Sequence, residues 1–169
     1  YGDTYPTFNG AIGMTYEQAG SGRAGLAIET ETCDTLTLLD RLTHHFTTSL
    51  STIEVSSVHA DDLEKNYIEF FRNSRKTVAD GFNTYIVKSR NGNKRIRKLI
   101  ELLDYHRIKY GQLNNLKSTK GFDYHKNRNV PVTIEPSDLI IPVQQTRSIL
   151  LRVLFEPVST LVDSMTYVI

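Results

Sequence analysis

Apolar residues recur at spacings of three and four from Leu39 through Leu42, Phe46 and Leu50 to Ile53. That period is one face of an α-helix and predicts a buried stripe beginning near Leu38. A second helical pattern covers 60–75, with Leu63, Tyr67, Phe70 and Phe71 on its apolar side. Asp61, Asp62 and Glu64 fall in its first turn, where the helix dipole favours acids. A break or kink is expected between the two helices, at 56–59. Ahead of them the chain is rich in Gly, Thr and Tyr, with turn signals at Tyr5-Pro6, Asn9-Gly10 and Gly20-Ser21-Gly22. Those turns bracket two short strand expectations, 11–17 and 25–30.

Near Val78 the pattern changes. Residues 84–87 read as a strand, 89–93 as a loop, 94–105 as a helix with Ile96, Leu99, Ile100 and Leu103 on one face, and 108–113 as a strand. Strand, loop, helix, strand is the order of a βαβ unit and predicts a parallel pair. Residues 116–129 are polar and read as an excursion, 130–134 and 139–143 as further strands, and 146–155 as a helix ended by Pro157. The expected class is α/β. Two strands plus helices fill residues 1–76, and a small, mainly parallel, Rossmann-like module fills 77–169.

The 169 residues carry 20 Lys plus Arg against 19 Asp plus Glu, a net charge of +1 that argues against a coat for nucleic acid or an anionic membrane. With 39% hydrophobic and 23% charged residues the composition is globular. A single cysteine, Cys33, excludes an internal disulfide and a cysteine-built zinc site. No stretch approaches the roughly 18 apolar residues of a membrane helix. The chain opens at Tyr1 without an initiator Met and ends in the apolar run Met165-Thr166-Tyr167-Val168-Ile169. Both ends suggest an excerpt of something longer.

Four features could carry chemistry. The histidines, His44, His45, His59, His106 and His125, form no His-x-x-Glu or His-Glu-x-x-His pattern. Adjacent His44 and His45 diverge by about 100° on a helix, so no metal site is expected within the chain. Cys33 lies between Thr32 and Asp34, acidic surroundings that suit a turn residue better than a nucleophile. Lys88, Arg90, Lys94, Arg95, Arg97 and Lys98 form a basic run with no acid between Asp80 and Glu101. A solvated face is the first expectation for such a run and an anion-binding loop the second. Glu17 ends an otherwise uncharged segment with Gly13, Gly20 and Gly22 around it, an environment for either a solvated acid or a general base.

The segment Tyr5-Pro6-Thr7-Phe8-Asn9-Gly10-Ala11-Ile12-Gly13-Met14-Thr15-Tyr16-Glu17-Gln18 resembles the last catalytic segment of the zinc metallocarboxypeptidases, the carboxypeptidase A-like peptidases. It is most similar to a divergent bacterial branch in which an aromatic precedes the catalytic glutamate. Gly25-Leu26-Ala27-Ile28-Glu29-Thr30 and the His44-His45 helix resemble that branch's last strand and closing helix. The remainder resembles the α/β module that follows the peptidase and is related in shape to class I glutamine amidotransferases. Its marked stretches are Glu135-Pro136-Ser137-Asp138-Leu139-Ile140-Ile141-Pro142-Val143-Gln144-Gln145 and Leu154-Phe155-Glu156-Pro157.

The resemblance implies that residues 1–76 end a peptidase domain and that 77–169 form an incomplete accessory module without the amidotransferase nucleophile. It implies Glu17 as the general base that deprotonates a zinc-bound water and protonates the leaving amine. Gly13 would let the chain lie close to substrate, and Tyr1, Tyr5 and Tyr16 are candidate substrate contacts. Zinc would be bound in the full-length protein through ligands outside this chain. The chain alone would be inactive. A peptide or protein substrate and a periplasmic or secreted location follow from the same resemblance. The alternative expectation is a non-catalytic α/β binding module whose basic loop, Lys88 to Lys98, holds an anion.

Overall fold

The computed structural model describes residues 4–17, 27–76 and 82–157. The chain divides into two compact units, Tyr1–Phe70 and Phe71–Ile169, a division that falls within one helix.

In the first unit, α1 (Thr4–Thr7) is a single turn. Thr7 Oγ1 donates to the Thr4 carbonyl at 2.7 Å, and Asn9 Nδ2 donates to the Tyr5 carbonyl at 2.9 Å. Gly10 takes φ +83°, a left-handed conformation that glycine adopts without steric penalty. Residues 11–17, expected as a strand, are irregular and have no ladder partner among the described residues. A lone strand leaves its backbone groups unpaired, so pattern alone does not make one. The described part of the second expected strand holds β1 (Ile28–Glu29), paired antiparallel with β2 (Thr35–Leu36) in the register Ile28↔Leu36. Residues 18–26 lie outside the described residues. Cys33 occupies the intervening turn at φ +62°, with its amide bonded to the Thr30 carbonyl.

Helix α2 (Leu38–Val58) starts at a capping box. Thr37 Oγ1 accepts from the Asp40 amide at 3.3 Å, while Asp40 Oδ2 accepts from the Thr37 amide at 2.9 Å. Its hydroxyls turn back onto the helix, with Thr47, Thr48, Ser49 and Thr52 each bonding the carbonyl four residues earlier. The break appears at His59, and α3 (Ala60–Lys76) follows with Asp61 and Asp62 in its first turn. The predicted apolar stripe of α2 is present but uncovered: Leu39 is 71% exposed and Phe46 65%. No apolar side chain of the first unit is fully buried among the described residues, because nothing described there lies over that face.

The second unit holds a real core. Strand β3 (Thr84–Val87) leads through a 3-10 turn (Ser89–Asn91) to α4 (Asn93–Tyr105). A hairpin follows, β4 (Lys117–Asp123) with β5 (Arg128–Ile134), then β6 (Leu139–Pro142) and α5 (Ser148–Phe155). Alternation along β6 sends Leu139 and Ile141 inward, with Val143 continuing the pattern. They are buried together with Tyr85, Leu103, Ile108, Ile134, Leu150 and Leu151. Tyr85 stacks on Phe155 with ring centroids 4.9 Å apart.

Every ladder among the described residues is antiparallel, where a mainly parallel arrangement was expected. The reason lies in β6. It pairs with β3 in the register Tyr85↔Ile141 and, on its other edge, takes an isolated antiparallel bridge from Gly111 to Ile140. Two neighbours antiparallel to the same strand run in the same direction as each other. Residues 84–87 and Gly111 therefore flank β6 instead of pairing with each other, the expected parallel pair does not form among the described residues, and the strand expected at 108–113 is reduced to one bridge. The polar excursion at 116–129 is largely hairpin, with Asp123 Oδ1 accepting from the amides of His125 and Lys126 across the turn.

One buried charge in the first unit is unsatisfied. Arg41 is 9% exposed, and its Nε and Nη2 have no hydrogen-bond partner. Burying an unpaired guanidinium is strongly unfavourable. Arg41→Met is expected to raise the stability of the 169-residue chain by about 1–4 kcal/mol in urea unfolding followed by circular dichroism. A loss of stability would mean that the guanidinium is satisfied after all.

Candidate functional site

Glu17 is exposed at the end of the irregular segment. Behind it Tyr16 is fastened to α2: its hydroxyl lies 3.1 Å from Thr52 Oγ1 and 2.9 Å from Met14 Sδ. The ring remains 50% exposed. Gly13 is half-buried, and Tyr5 sits in α1 at 47% exposure. Tyr1 lies outside the described residues. The segment thus places Gly13, Tyr16 and Glu17 along one short path, and Tyr5 one turn of chain earlier. None of the four lines either of the two clefts described below.

The first cleft, about 450 Å³, belongs to the first unit and is lined by Thr30, Thr32, Asp34, Thr35, Leu36, Asp40 and His44. Its two acids are already engaged. Asp34 Oδ1 accepts from the Thr35 amide at 2.8 Å, and Asp40 closes the α2 cap. The Thr37 hydroxyl and amide, with nearby His44, hold the Asp40 carboxyl below its ordinary range against a small opposing effect of burial. His45 does not line this cleft, as the divergence of adjacent helical residues requires. His59 Nδ1 meets Asp62 Oδ2 at 3.5 Å on the exposed surface, a pairing that suits a helix start. Among the described residues no group of three His, Cys, Asp or Glu side chains could hold a metal ion.

The most built polar arrangement is in the second unit, within a stretch that the sequence marked. Asp138 is fully buried. Its Oδ2 accepts from Lys88 Nζ and from the Glu135 amide at 2.8 Å, and its Oδ1 accepts from the Ser89 amide at 2.8 Å. Lys88 Nζ also donates to the Thr133 carbonyl at 2.8 Å and lies 3.7 Å from Glu135. Burial alone would raise the Asp138 carboxyl. The Lys88 hydrogen bond, the two amides and the Lys88 charge outweigh it and hold the carboxyl below its usual range. The basic run therefore gives its first member to the interior. Arg90, Lys94, Arg95, Arg97 and Lys98 remain exposed along the 3-10 turn and α4.

Gln145 is the second structural polar group. Its Oε1 accepts from the Lys109 amide at 2.6 Å, and its Nε2 donates to the carbonyls of Lys109 at 3.1 Å and Pro142 at 2.6 Å. The side-chain amide thus pairs with both backbone groups of Lys109, as a strand residue would. Nearby, Ser148 Oγ donates to the Ser74 carbonyl at 2.6 Å, and Ser74 Oγ donates to the carbonyls of Phe71 and Thr146. Neither serine stands out in the sequence, since a small polar residue on a helix gives no periodic signal. No described helix is long and apolar enough to cross a membrane.

No protein-family model, curated protein or solved structure matches the chain.

Asp138 gives the second unit a specific acid sensitivity. A carboxyl lowered on folding contributes stability that is complete above its unfolded value of about 3.9 and is lost as pH falls through the lower folded value. Asp138→Ala is expected to cost about 3–5 kcal/mol, because it strands a mostly buried lysine. The variant should also show a shallower loss of stability below about pH 4 than the parent chain. Urea melts at neutral and acid pH read both effects. Equal stability of variant and parent at neutral pH would contradict the clamp.

Proposed function

We propose that the chain is the C-terminal part of a zinc-dependent metallocarboxypeptidase, a hydrolase of peptides or proteins, and that Glu17 is its general base. The observation that carries the proposal is the segment from Tyr5 to Gln18. Its sequence resembles the last catalytic segment of that family, and its carboxylate stands exposed while Tyr16 anchors the chain behind it on α2. The uncovered stripe of α2 gives further support, because a domain end whose remainder lies elsewhere would present such a face.

In this role the Glu17 carboxylate takes a proton from the attacking water and returns it to the leaving amine. Gly13 keeps the backbone open to substrate, and Tyr5 and Tyr16 are its candidate substrate contacts. In this proposal the zinc ligands lie outside this chain, and no group of three His, Cys, Asp or Glu among the described residues could hold the metal. The second unit is the accessory module in this proposal. Its relation to the glutamine amidotransferases rests on sequence resemblance, and the ladders of its described residues are antiparallel. A periplasmic or secreted location accompanies the same proposal.

In the larger protein, Glu17→Gln is expected to lower kcat for release of a C-terminal amino acid by about 10²-fold or more, with zinc content unchanged. A near-parental kcat would remove Glu17 from the mechanism. The 169-residue chain alone is expected to be inert, and chelator-insensitive hydrolysis by it would contradict the proposal.

A further inference from the structure

We propose that the second unit carries a binding site for a phosphate-type oxyanion, in the cleft between the end of α3 and the loop that joins β6 to α5. The cleft encloses about 390 Å³ and is lined by Arg75, Lys109, Gln144, Gln145 and Thr146. All five lining residues are polar, and two of them carry positive charge at neutral pH. A volume of this size lies at the small end of ligand pockets, enough for a phosphate or a small phosphate monoester.

The walls are fixed by internal bonds. Gln145 is buried and joins both backbone groups of Lys109 to the Pro142 carbonyl, so the segment bearing Lys109 is held against the loop. Arg75 follows the buried Ser74, whose hydroxyl donates to the Thr146 carbonyl at 3.2 Å. Arg75 Nη2 in turn donates to Thr146 Oγ1 at 3.1 Å, which sets the guanidinium on the rim. The Arg75 guanidinium, the Lys109 backbone and the loop between them are thus held by internal bonds, which lowers the entropy lost on binding.

Charge supplies the selectivity. Arg75 and Lys109 are the charged residues of the lining, and no Asp or Glu lines this cleft. Lys88, by contrast, is neutralised by Asp138. Like charges gathered in a concavity focus a positive potential, and a dianion relieves their repulsion better than a monoanion does. The guanidinium fork and the ammonium suit the several acceptor oxygens of a phosphate. No residue of the basic run from Lys88 to Lys98 lines this cleft. This inference stands independently of the peptidase proposal, since it uses the second unit alone.

The test is a titration of the full 169-residue chain at low ionic strength with inorganic phosphate, glycerol phosphate and acetate, followed by amide chemical shifts. Saturable phosphate binding is expected, with the largest shifts at Lys109, Gln144, Gln145 and Thr146. Arg75→Glu and Lys109→Glu should each weaken it by about tenfold or more, whereas Arg97→Glu on α4 should leave the affinity within about twofold. Tighter binding of glycerol phosphate than of inorganic phosphate would assign an organic monoester, and equal binding would assign the free anion. Binding of acetate as tight as phosphate, shifts centred on 90–98, or unchanged affinity in both charge-reversal variants would overturn the site. If a variant fails to fold, the shift map of the parent chain decides the question alone.

Discussion

A single buried carboxylate organises the second unit. Asp138 gathers the lysine that leaves β3, the amide that opens the 3-10 turn and the amide of Glu135 just after β5. A charged group this deeply buried is tolerated only when its partners nearly surround it, and here three donors do so. Ser137 strengthens the same junction, with its hydroxyl 3.0 Å from that of Ser89. The clamp meets β6 at its first residue, and β6 carries the inward alternation that forms the core. It also explains why the basic run is not a uniform solvated face, since its first cation is held in the interior.

The two units satisfy their polar groups in similar ways but bury apolar surface very differently. In the first, a capping box, a threonine-lined turn and back-bonded hydroxyls satisfy the backbone locally. Local bonds of this kind define a helix but do not hold it against water, because helices in proteins draw most of their stability from packing an apolar face. That face is uncovered on α2, and Arg41 adds an unpaired charge. The second unit has its own core and a polar cleft on its surface.

What the sequence made legible follows the physics of each signal. The helices at 38–58 and 60–76 were readable from period and first-turn acids, and their junction at His59 fell where the period broke. The helix at 93–105 has the expected face, with Leu103 fully buried. Strands were harder, because a strand exists only through its partner. Residues 11–17 have apolar character but no described neighbour, whereas Lys117–Asp123 lacks alternation and still pairs along its whole length with β5. Antiparallel insertion of β6 between 84–87 and Gly111 depends on long-range pairing that no local period encodes. Among candidate site residues, Glu17, Gly13, Tyr5 and Tyr16 were read from resemblance. The roles of Asp138, Gln145, Ser74 and Ser148 became visible only once distant segments met.

Amide hydrogen exchange on the 169-residue chain tests most directly the claim that one unit holds its own core while the apolar face of α2 stays exposed. Amides of β3, β6 and α5 should exchange only through cooperative unfolding, and those in the middle of α2 through low-energy local opening. Protection of Phe46 to Ile53 equal to that of Ile140 and Ile141 would contradict the account, because it would show that α2 is held as firmly as the core of the second unit.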